Sequence, residues 1–397
     1  MLSGKCVVIG VTGSIAAYKA CSLVSRLVKL GCDVHVIMTK NAEYFINPIT
    51  FETLTNNKCL TDTFDRNFQF HVAHVSLAKK ADIFMIAPAS ADIIGKAANG
   101  IADDMLSTTL MACKAPVYFA PAMNTAMYEN PVVQDNIKKL ESFGYHFIEP
   151  DSGFLACRDT GKGKLPSEDV LLDHILREIA YEKDLSGKKI LITAGPTMEA
   201  IDPVRFISNH STGKMGFSLA RIAMLRGAEV TLVKGPTSIE PPRFVNVVDV
   251  KSAKDMFEAV KKYADSSDII IKAAAVADYR PSNISDEKIK KSDGDMSIQL
   301  ERTDDILKYL GENRKEGQFI CGFSMETQNM LENSREKLKK KNIDMICANS
   351  LKQEGAGFGT DTNIVTMISK DEEVQLPVLS KDDTAFRILS KIIENMK

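Results

Sequence analysis

The sequence predicts an α/β protein with two domains, each built around a parallel sheet. Short apolar runs rich in β-branched residues alternate with helical patterns along the whole chain. The runs are predominantly apolar, as expected of strands that helices cover on both faces. A chain of 397 residues is also longer than one ordinary domain.

The predicted strands follow one another in chain order. In the first half they are CVVIG, DVHVIMT, DIFMIAPA and PVYFAPA; in the second half they are KILITAG, EVTLVKG, DIIIKAAA, FICGFS and DMICANS. Ligands of parallel α/β sheets bind beyond the C-terminal ends of the strands. We therefore expect the functional residues in the loops that follow these runs.

The sequence predicts that a second domain begins near residue 186. The phrase Leu-Ser-Gly-Lys occurs at residues 2–5 and again at residues 185–188, each time before a predicted strand. The charged helical pattern SEDVLLDHILREIAYEKD ends just before the second copy. We therefore predict domains at residues 1–186 and 187–397. The similarity stops after these phrases, so the two halves are not an internal repeat.

The amino-acid composition argues against nucleic acid and membranes as partners of this protein. The net charge is −2, which gives no global attraction to nucleic acid or membrane surfaces. The eight cysteines include no C-x-x-C pair, a pattern typical of reduced cytosolic thiols. No stretch approaches the roughly 18–20 apolar residues of a membrane span. We expect a cytoplasmic protein with no nucleic acid and no membrane partner.

The first candidate site follows the first strand. In IGVTGSIAAYK a strand turns into a helix, so the amides of residues 13–15 can face a phosphate. Thr39 ends the second strand at the same sheet edge. Pro88 and Ser90 begin a run of small residues that could lie against a planar ring. A plain tight turn and a close-packed crossover are the alternatives at these positions.

Three further residues of the first half could do chemistry. His74 lies at or just before the first turn of an amphipathic helix, where a surface residue or a cap is the alternative. Asn124 follows a strand in APAMNTAMYENP, where the alternative is a helix N-cap. Cys157 lies in the glycine-rich stretch DSGFLACRDTGKGKL, which suggests a mobile flap; a buried inert thiol is the alternative.

In the second half, residues 206–216 (FISNHSTGKMG) resemble the phosphate loop of a nucleotide-hydrolysing enzyme but lack two of its residues. Ser208 stands in place of the first glycine, and Met215 stands where a hydroxyl would hold Mg²⁺. Thr212 is instead predicted to cap a helix, and Gly213 and Gly216 permit close backbone approach. The stretch is interpreted as a phosphate-binding helix start or, alternatively, as a merely close-packed helix.

Charged residues follow a later strand of the same half. AAAVADYRP ends a strand with Asp278, and DEKIKKSDG follows with Lys288, Lys290 and Lys291. A lysine run alone is usually a solvated face. Beside a strand-end aspartate and an anion-binding helix, it indicates a clamp for a triphosphate.

These motifs together carry a resemblance to a known family. GSIAAYK, HVSL with His74, PAMNTAM and the flap SG-x-L-AC-x-x-x-G-x-G resemble the flavin-dependent phosphopantothenoylcysteine decarboxylases. SNHSTGKMG, AAVADY, EKIKK, CGFSMET, SREKLKKKNID and CANS resemble phosphopantothenate–cysteine ligase. From end to end the chain resembles the bifunctional coenzyme A biosynthesis proteins. It departs from them at Tyr128, where a Trp is usual, and at Lys164, where an Arg is usual.

The resemblance implies a flavodoxin-like, FMN-binding decarboxylase fold in the first domain and a Rossmann-like ligase fold in the second. It implies CTP- and Mg²⁺-dependent joining of cysteine to 4′-phosphopantothenate through an acyl-cytidylate. FMN-dependent decarboxylation of 4′-phosphopantothenoylcysteine to 4′-phosphopantetheine would follow. Family members place FMN between the subunits of a trimer, so a homo-oligomer is expected: a trimer-based decarboxylase core, as a dodecamer, with dimeric ligase domains.

The resemblance also implies roles for individual residues. His74 would serve oxidation and decarboxylation, Asn124 would hold the substrate carboxylate, and Cys157 would donate the last proton. In the ligase, Asn209 would bind the acyl intermediate, and Lys288 would neutralise the charge that grows on the phosphates. The implied FMN site comprises Gly13, Ser14, Ile15, Thr39, Pro88, Ala89, Ser90, Ala91 and Ser107. The implied CTP site comprises Ala273, Ala274, Asp278, Lys288, Asp304, Asp305, Ile306, Leu307, Phe323, Lys337 and Lys341. The metal ligands are not identified.

Two other functions remain open. A flavin reductase fused to a nucleotide-binding domain would need a reduced nicotinamide donor, and it gives no reason for Cys157 on a glycine-rich flap. A non-catalytic, flavin-binding regulatory subunit would typically lack the histidine or the cysteine. All five residues with an implied role are present, which counts against that second alternative: His74, Asn124, Cys157, Asn209 and Lys288.

Overall fold

The computed structural model describes residues 2–64, 73–154, 159–290, 296–326, 329–350 and 360–396. It divides the chain into two compact units, Met1–Tyr181 and Glu182–Lys397. Each unit has its own mainly parallel sheet, which confirms the predicted α/β class. Among the described helices, none has the length and apolar character needed to span a membrane.

The first unit contains a five-stranded parallel sheet in the order β2–β1–β3–β4–β5. All the predicted strands are present, and β5 is a short addition. The central strands β1 and β3 are buried along their whole length, as their apolar sequences predict. The strands are β1 Cys6–Val11, β2 Asp33–Met38, β3 Ile83–Ala89, β4 Val117–Pro121 and β5 His146–Phe147.

The helices of this unit bury one apolar side each. For example, Leu23, Val24 and Leu27 recur at helical spacing and are fully buried in α1. The helices are a 3₁₀ helix Ile15–Lys19, α1 Ala20–Lys29, α2 Lys40–Glu43, α3 Pro48–Thr55, α4 Ala73–Lys80, α5 Ala91–Ala98, α6 Met105–Ala112, α7 Thr125–Tyr128, α8 Pro131–Ser142 and α9 Glu168–Ile179.

An antiparallel hairpin stands apart from the sheet of the first unit. Its strands are β6 Asp151–Phe154 and β7 Thr160–Lys164. We call residues 151–164 the flap. Cys157 belongs to the flap by sequence but lies outside the described residues.

The second unit is built on an eight-stranded sheet in the order β12–β11–β8–β13–β16–β17–β19–β20. The first six strands are parallel. At one edge β19 and β20 run antiparallel, an extension that the sequence analysis did not anticipate. The sheet strands are β8 Lys189–Ala194, β11 Glu229–Lys234, β12 Asn246–Asp249, β13 Ile269–Lys272, β16 Phe319–Glu326, β17 Met345–Ser350, β19 Thr366–Ser369 and β20 Glu373–Gln375.

Short two-stranded pairs and five helices complete the described part of this unit. The pairs are β9 Met198–Ala200 with β10 Phe206–Ser208, β14 Tyr279–Pro281 with β15 Leu300–Arg302, and β18 Thr362–Asn363 with β21 Leu379–Ser380. The helices are α10 Lys214–Leu225, α11 Ala253–Ala264, α12 Ile306–Glu312, α13 Met330–Lys340 and α14 Lys381–Met396. Ile270, Leu310 and Leu338 belong to one core cluster that joins β13 to α12 and α13.

The start of α10 differs from the prediction. Gly213, rather than Thr212, is the N-cap residue, and no side chain caps the helix. Gly213 has φ +81°, a left-handed conformation that side chains disfavour, and a Cβ there would lie 3.2 Å from Gly195 Cα. The helix therefore begins one residue later because its start packs backbone to backbone against the loop after β8.

Candidate functional site

In the first unit, hydrogen bonds join the loops after β1 and β3. The strand order reverses between these two neighbours, which is where a ligand crevice is expected. Thr12 Oγ1 donates a hydrogen bond of 2.8 Å to the Pro88 carbonyl and accepts one of 2.9 Å from Ser90 N. The β1 and β3 loops are therefore held side by side at the C-terminal edge of the sheet.

The turn after β1 is fixed at both ends. The Ser14 hydroxyl caps the 3₁₀ helix by accepting a hydrogen bond from Ala16 N. The same hydroxyl donates a hydrogen bond of 3.3 Å to the Ala122 carbonyl. A Cβ at Gly13 would come within 2.6 Å of Asn41 Cβ, so only glycine fits between the turn and α2. This leaves a preformed helix start at the sheet edge, as predicted.

One buried polar atom at this edge has no partner. Thr39 directly follows β2, and its Oγ1 is buried without a hydrogen bond to any described residue. Buried hydroxyl groups are almost always hydrogen-bonded in folded proteins. A bound ligand with a polar group would satisfy Thr39, which is the fit expected of a flavin site.

The predicted FMN residues fall into two groups. Most of them end β1, β2 or β3 or follow these strands directly, so one sheet edge brings them together: Gly13, Ser14, Ile15, Thr39, Pro88, Ala89, Ser90 and Ala91. Ser107 differs because it is fully buried in α6, where its hydroxyl and amide both bond to Asp104 in a capping box. Its side chain is not open at that edge.

Asn124 connects the loop after β4 to the flap. Its Oδ1 accepts a hydrogen bond of 2.9 Å from Ala126 N, so it caps α7, which was the alternative interpretation of this residue. Its Nδ2 donates a hydrogen bond of 3.0 Å to Asp159 Oδ2. Asp159 lies two residues after Cys157 in the sequence, so the amide is bonded to the segment that carries the predicted proton donor.

His74 lies in the first turn of α4 and is half-buried. The sequence prediction of its position is therefore confirmed. Residues 65–72, which precede it, lie outside the described part of the chain. The catalytic role of His74 therefore stays a prediction.

In the second unit, the loops after β8 and β13 meet at the point where the strand order reverses. Ala275 N donates a hydrogen bond of 3.0 Å to the Gly195 carbonyl. Asn209 Nδ2 donates a hydrogen bond of 2.9 Å to the Ala275 carbonyl. Asn209 is thereby held across the crevice, beside the start of α10 that packs on Gly195.

The segment that carries Lys288 is anchored by the ion pair between Asp202 and Arg205. Asp202 is buried and accepts hydrogen bonds from Arg205 and from Ile289 N, the latter at 3.1 Å. Arg205 also donates a hydrogen bond of 2.7 Å to the Ile289 carbonyl. The hydrogen bond from Arg205 is the main cause that holds the pKa of Asp202 far below its usual range. Lys288 itself is exposed, so its ammonium is available to a ligand.

A cluster of charges lies at the C-terminal edge around β13, α12 and α13. Lys341 forms an ion pair with Asp305, which also caps α12 by accepting a hydrogen bond of 2.9 Å from Lys308 N. Burial acts to raise the pKa of Asp305, but the hydrogen bonds from Lys341 and Lys308 lower it below its usual value. Four predicted CTP residues act electrostatically on the end of β13 at this edge: Asp278, Asp305, Lys337 and Lys341.

Lys272 belongs to this cluster and was missed by the sequence analysis. It is the last residue of β13 and pairs in register with Thr193 and Gly322 on the neighbouring strands. Burial, followed by the positive charge of Lys337, lowers the pKa of Lys272 to about 8. The available signal was a lysine ending an otherwise apolar strand, DIIIK, just before AAAVAD.

The remaining predicted CTP residues lie around the same edge. Ala273 and Ala274 follow β13, and Ala274 N donates a hydrogen bond of 3.1 Å to Thr193 Oγ1. Asp304 is exposed before α12, and Phe323 is half-buried on β16. The side chains of Ile306 and Leu307 are buried in the core, so only their backbone is open to a ligand.

Two family models match the chain, one for each half. The model described as Flavoprotein matches residues 1–180. The model described as DNA/pantothenate metabolism flavoprotein C-terminal domain matches residues 185–396. The first unit is therefore a flavoprotein unit.

Curated relatives match nearly the whole chain. Coenzyme A biosynthesis bifunctional protein CoaBC of Bacillus subtilis is 50% identical over 396 residues, which cover 99% of this chain and 97% of that protein. The protein of the same name from Borreliella burgdorferi is 45% identical over 391 residues, 98% of this chain and 99% of that protein. A cysteine/cysteine sulfinic acid decarboxylase from an unknown prokaryotic organism is 44% identical over 354 residues, 88% of this chain and 99% of that protein. The chain therefore belongs to the family of bifunctional coenzyme A biosynthesis proteins, and it is an enzyme with a phosphopantothenate–cysteine ligase and a flavoprotein decarboxylase activity.

Proposed function

We propose that residues 187–397 use CTP and Mg²⁺ to join cysteine to 4′-phosphopantothenate, and that residues 1–186 use FMN to decarboxylate the product. The observation that carries the CTP part is the position of Lys272 at the C-terminal end of β13, where the charges of Lys337 and Lys341 act on it and Lys341 pairs with Asp305. Cations at the C-terminal ends of parallel strands suit a nucleotide triphosphate.

The ligase reaction divides into two steps. The 4′-phosphopantothenate carboxylate attacks the α-phosphate of CTP, which gives an acyl-cytidylate and releases pyrophosphate. The cysteine amine then displaces CMP and forms the amide. Asn209, held over the crevice by Ala275, binds the acyl intermediate. Lys288, on the segment anchored by Asp202, neutralises the charge that grows on the phosphates.

The decarboxylation needs an electron sink that a cysteine carboxylate lacks. A bound FMN would supply that sink by taking a hydride from the CH₂–SH carbon of the substrate and giving it back, so the reaction would be redox-neutral overall. The buried Thr39 hydroxyl and the turn at residues 13–15 are the groups that would hold the flavin.

Residues of the chain bind the substrate and transfer its protons. Asn124 binds the carboxylate that leaves as CO₂, and His74 acts as base or electrostatic partner in the oxidation. Loss of CO₂ leaves an enethiolate. Cys157 donates a proton to the carbon that carried the carboxylate.

We further propose that the protein is a cytoplasmic homo-oligomer with a trimer-based decarboxylase core, assembled as a dodecamer with dimeric ligase domains. Several large apolar side chains of the first unit are exposed near the turn after β1, including Ile15, Tyr18 and Tyr44. Exposed apolar groups of this kind favour contact with another subunit.

A reconstitution assay tests the proposed function. Purified protein is incubated with 4′-phosphopantothenate, cysteine, CTP and Mg²⁺, and the products are followed by mass spectrometry. We expect 4′-phosphopantetheine, CO₂, CMP and pyrophosphate. Free cysteine without the other substrates serves as a control, because one relative is named for decarboxylation of cysteine itself. A yellow protein that forms none of these products would instead favour a flavin reductase or a binding subunit.

A further inference from the structure

We propose that the ammonium group of Lys272 is an additional phosphate contact of the ligase, one that binds the triphosphate of CTP together with Lys337 and Lys341. The inference rests on the proposed CTP-dependent ligase function. Lys272 is the C-terminal residue of β13, between β8 and β16. This is the sheet edge at which ligands of parallel α/β folds bind.

The strand geometry directs Lys272 to the lysine cluster. Side chains two residues apart on a strand share a face, so Lys272 lies on the same face as Ile270. Ile270 packs in the core cluster that contains Leu307 of α12 and Leu338 of α13. A Cβ at Gly322, beside Lys272 in register, would lie 2.9 Å from Leu307 Cδ2. Lys272 therefore emerges on the side covered by α12 and α13.

The charges at this place are not balanced. The cations are Lys272, Lys337 and Lys341, and the anions are Asp278 and Asp305. Asp305 is already engaged by Lys341. Among the described residues, neither the Lys272 nor the Lys337 ammonium forms a hydrogen bond or an ion pair. Partly buried cations without a partner are unfavourable, and a bound anion would relieve the cost.

The electrostatics of the cluster make this contact pH-dependent. The charged groups that face Lys272 are Lys337 and Lys341 at the end of α13, Asp305 at the start of α12 and Asp278 in the loop after β13. Burial and the two lysines lower the pKa of Lys272 to about 8, so its charge is lost as the pH rises through that value. A bound triphosphate favours the charged form. CTP binding should therefore take up a proton above pH 8 and weaken as the pH rises further.

The test is titration calorimetry of the full chain with CTP and Mg²⁺, without the other substrates, at pH 7 and pH 9.5. Two buffers of different ionisation enthalpy at each pH report proton uptake. Lys272→Met should weaken CTP binding at pH 7 by about 10- to 100-fold, as expected for a lost hydrogen bond to a charged group, and should abolish proton uptake. Lys272→Arg should bind as wild type does at pH 7 and keep that affinity at pH 9.5.

Lys234 offers a matched control. It is the last residue of β11 in the same sheet, but its ammonium pairs with Asp249 at 2.6 Å. Lys234→Met should bind CTP with the affinity and proton uptake of wild type. If Lys272→Met does not fold, the different pH profiles of wild type and Lys272→Arg still test the proposal.

The outcomes separate the two proposals. Wild-type protein that binds CTP without proton uptake, together with a Lys272→Met variant within twofold of its affinity, would overturn the role of Lys272 and leave the ligase function standing. Wild-type protein that binds no CTP would overturn the CTP-dependent function and this inference with it.

Discussion

Gly163 of the flap lies directly against Met123. Met123 N donates a hydrogen bond of 3.0 Å to the Gly163 carbonyl, and a Cβ at Gly163 would stand 2.2 Å from the Met123 carbonyl oxygen. Two residues earlier, a Cβ at Gly161 would lie 2.5 Å from Thr125 Oγ1. The second strand of the flap is therefore fitted by two glycines to the segment that carries Asn124.

Gly163→Ala should slow decarboxylation and leave the ligase unchanged. The added methyl must move β7 away from Met123, and overpacking of this kind typically costs about 1–3 kcal/mol. If this cost adds to the activation free energy of decarboxylation, CO₂ release from phosphopantothenoylcysteine should drop by about 5- to 150-fold. The measurement is the steady-state rate of CO₂ release.

Gly153→Ala is the matched control for the flap. Gly153 has φ +156° and Gly163 has φ +146°, but nothing lies within 4 Å of a Cβ at Gly153. Both variants place alanine at a backbone position with positive φ, but only Gly163→Ala brings the new Cβ into a clash with Met123. Equal losses in both variants would show that the contact with Met123 is not what matters.

Cys157→Ser should stop decarboxylation after CO₂ loss and before the final reduction. A serine hydroxyl is a much poorer acid than a thiol, whose pKa is about 8.5. One turnover should release CO₂, bleach the oxidised-flavin absorbance and form a product two hydrogens short of 4′-phosphopantetheine. Mass spectrometry of a single-turnover mixture measures this product.

Cys21→Ser is the control for that experiment, because Cys21 is a half-buried thiol on α1 of the same unit. It should give the saturated product at the wild-type yield. Full yield of saturated product from Cys157→Ser as well would remove the flap cysteine as the proton donor.

Lys288→Gln should impair the ligase and spare the decarboxylase. Loss of one charge-assisted phosphate contact removes about 2–4 kcal/mol of transition-state stabilisation. CMP formation should fall accordingly, while added phosphopantothenoylcysteine still loses CO₂ at a near-normal rate. Lys261→Gln, on the exposed side of α11, should change neither rate. A joint fall of both activities in Lys288→Gln would contradict the assignment.

Asn209→Asp should separate the two ligase steps. Its Nδ2 donates to the Ala275 carbonyl, and a carboxylate in that place would repel both this carbonyl and the phosphate-bearing acyl-cytidylate. Pyrophosphate release should continue while amide formation fails, so the intermediate should accumulate or leak. Asn209 has no part in the mechanism if the amide forms at the wild-type rate.

The main strands were predictable because each is an apolar run between turns. CVVIG became β1 and DIIIK became β13, and their C-terminal ends fixed where both sites lie. The antiparallel edge was not predictable in the same way. β19 and β20 are short, and β20 has the sequence EVQ, which by itself shows no apolar run.

Individual side chains were harder to predict because their surroundings decide their role. Thr212 is a good capping residue, yet the contact between Gly213 and Gly195 moved the helix start. Lys272 looked like part of an apolar strand, and only the placement of α12 and α13 lets the charges of Lys337 and Lys341 act on it. Such contacts join residues far apart in the sequence, where periodicity carries no signal.

The most direct test of two independent activities in one chain is complementation between two variants. Lys288→Gln and Cys157→Ser are purified separately and mixed with 4′-phosphopantothenate, cysteine, CTP and Mg²⁺, and 4′-phosphopantetheine is measured by mass spectrometry. Alone, Lys288→Gln should form little product, and Cys157→Ser should form only the unsaturated one. The mixture should form 4′-phosphopantetheine, because the ligase of one variant supplies the decarboxylase of the other. A mixture that forms no more 4′-phosphopantetheine than the two variants alone would contradict the account.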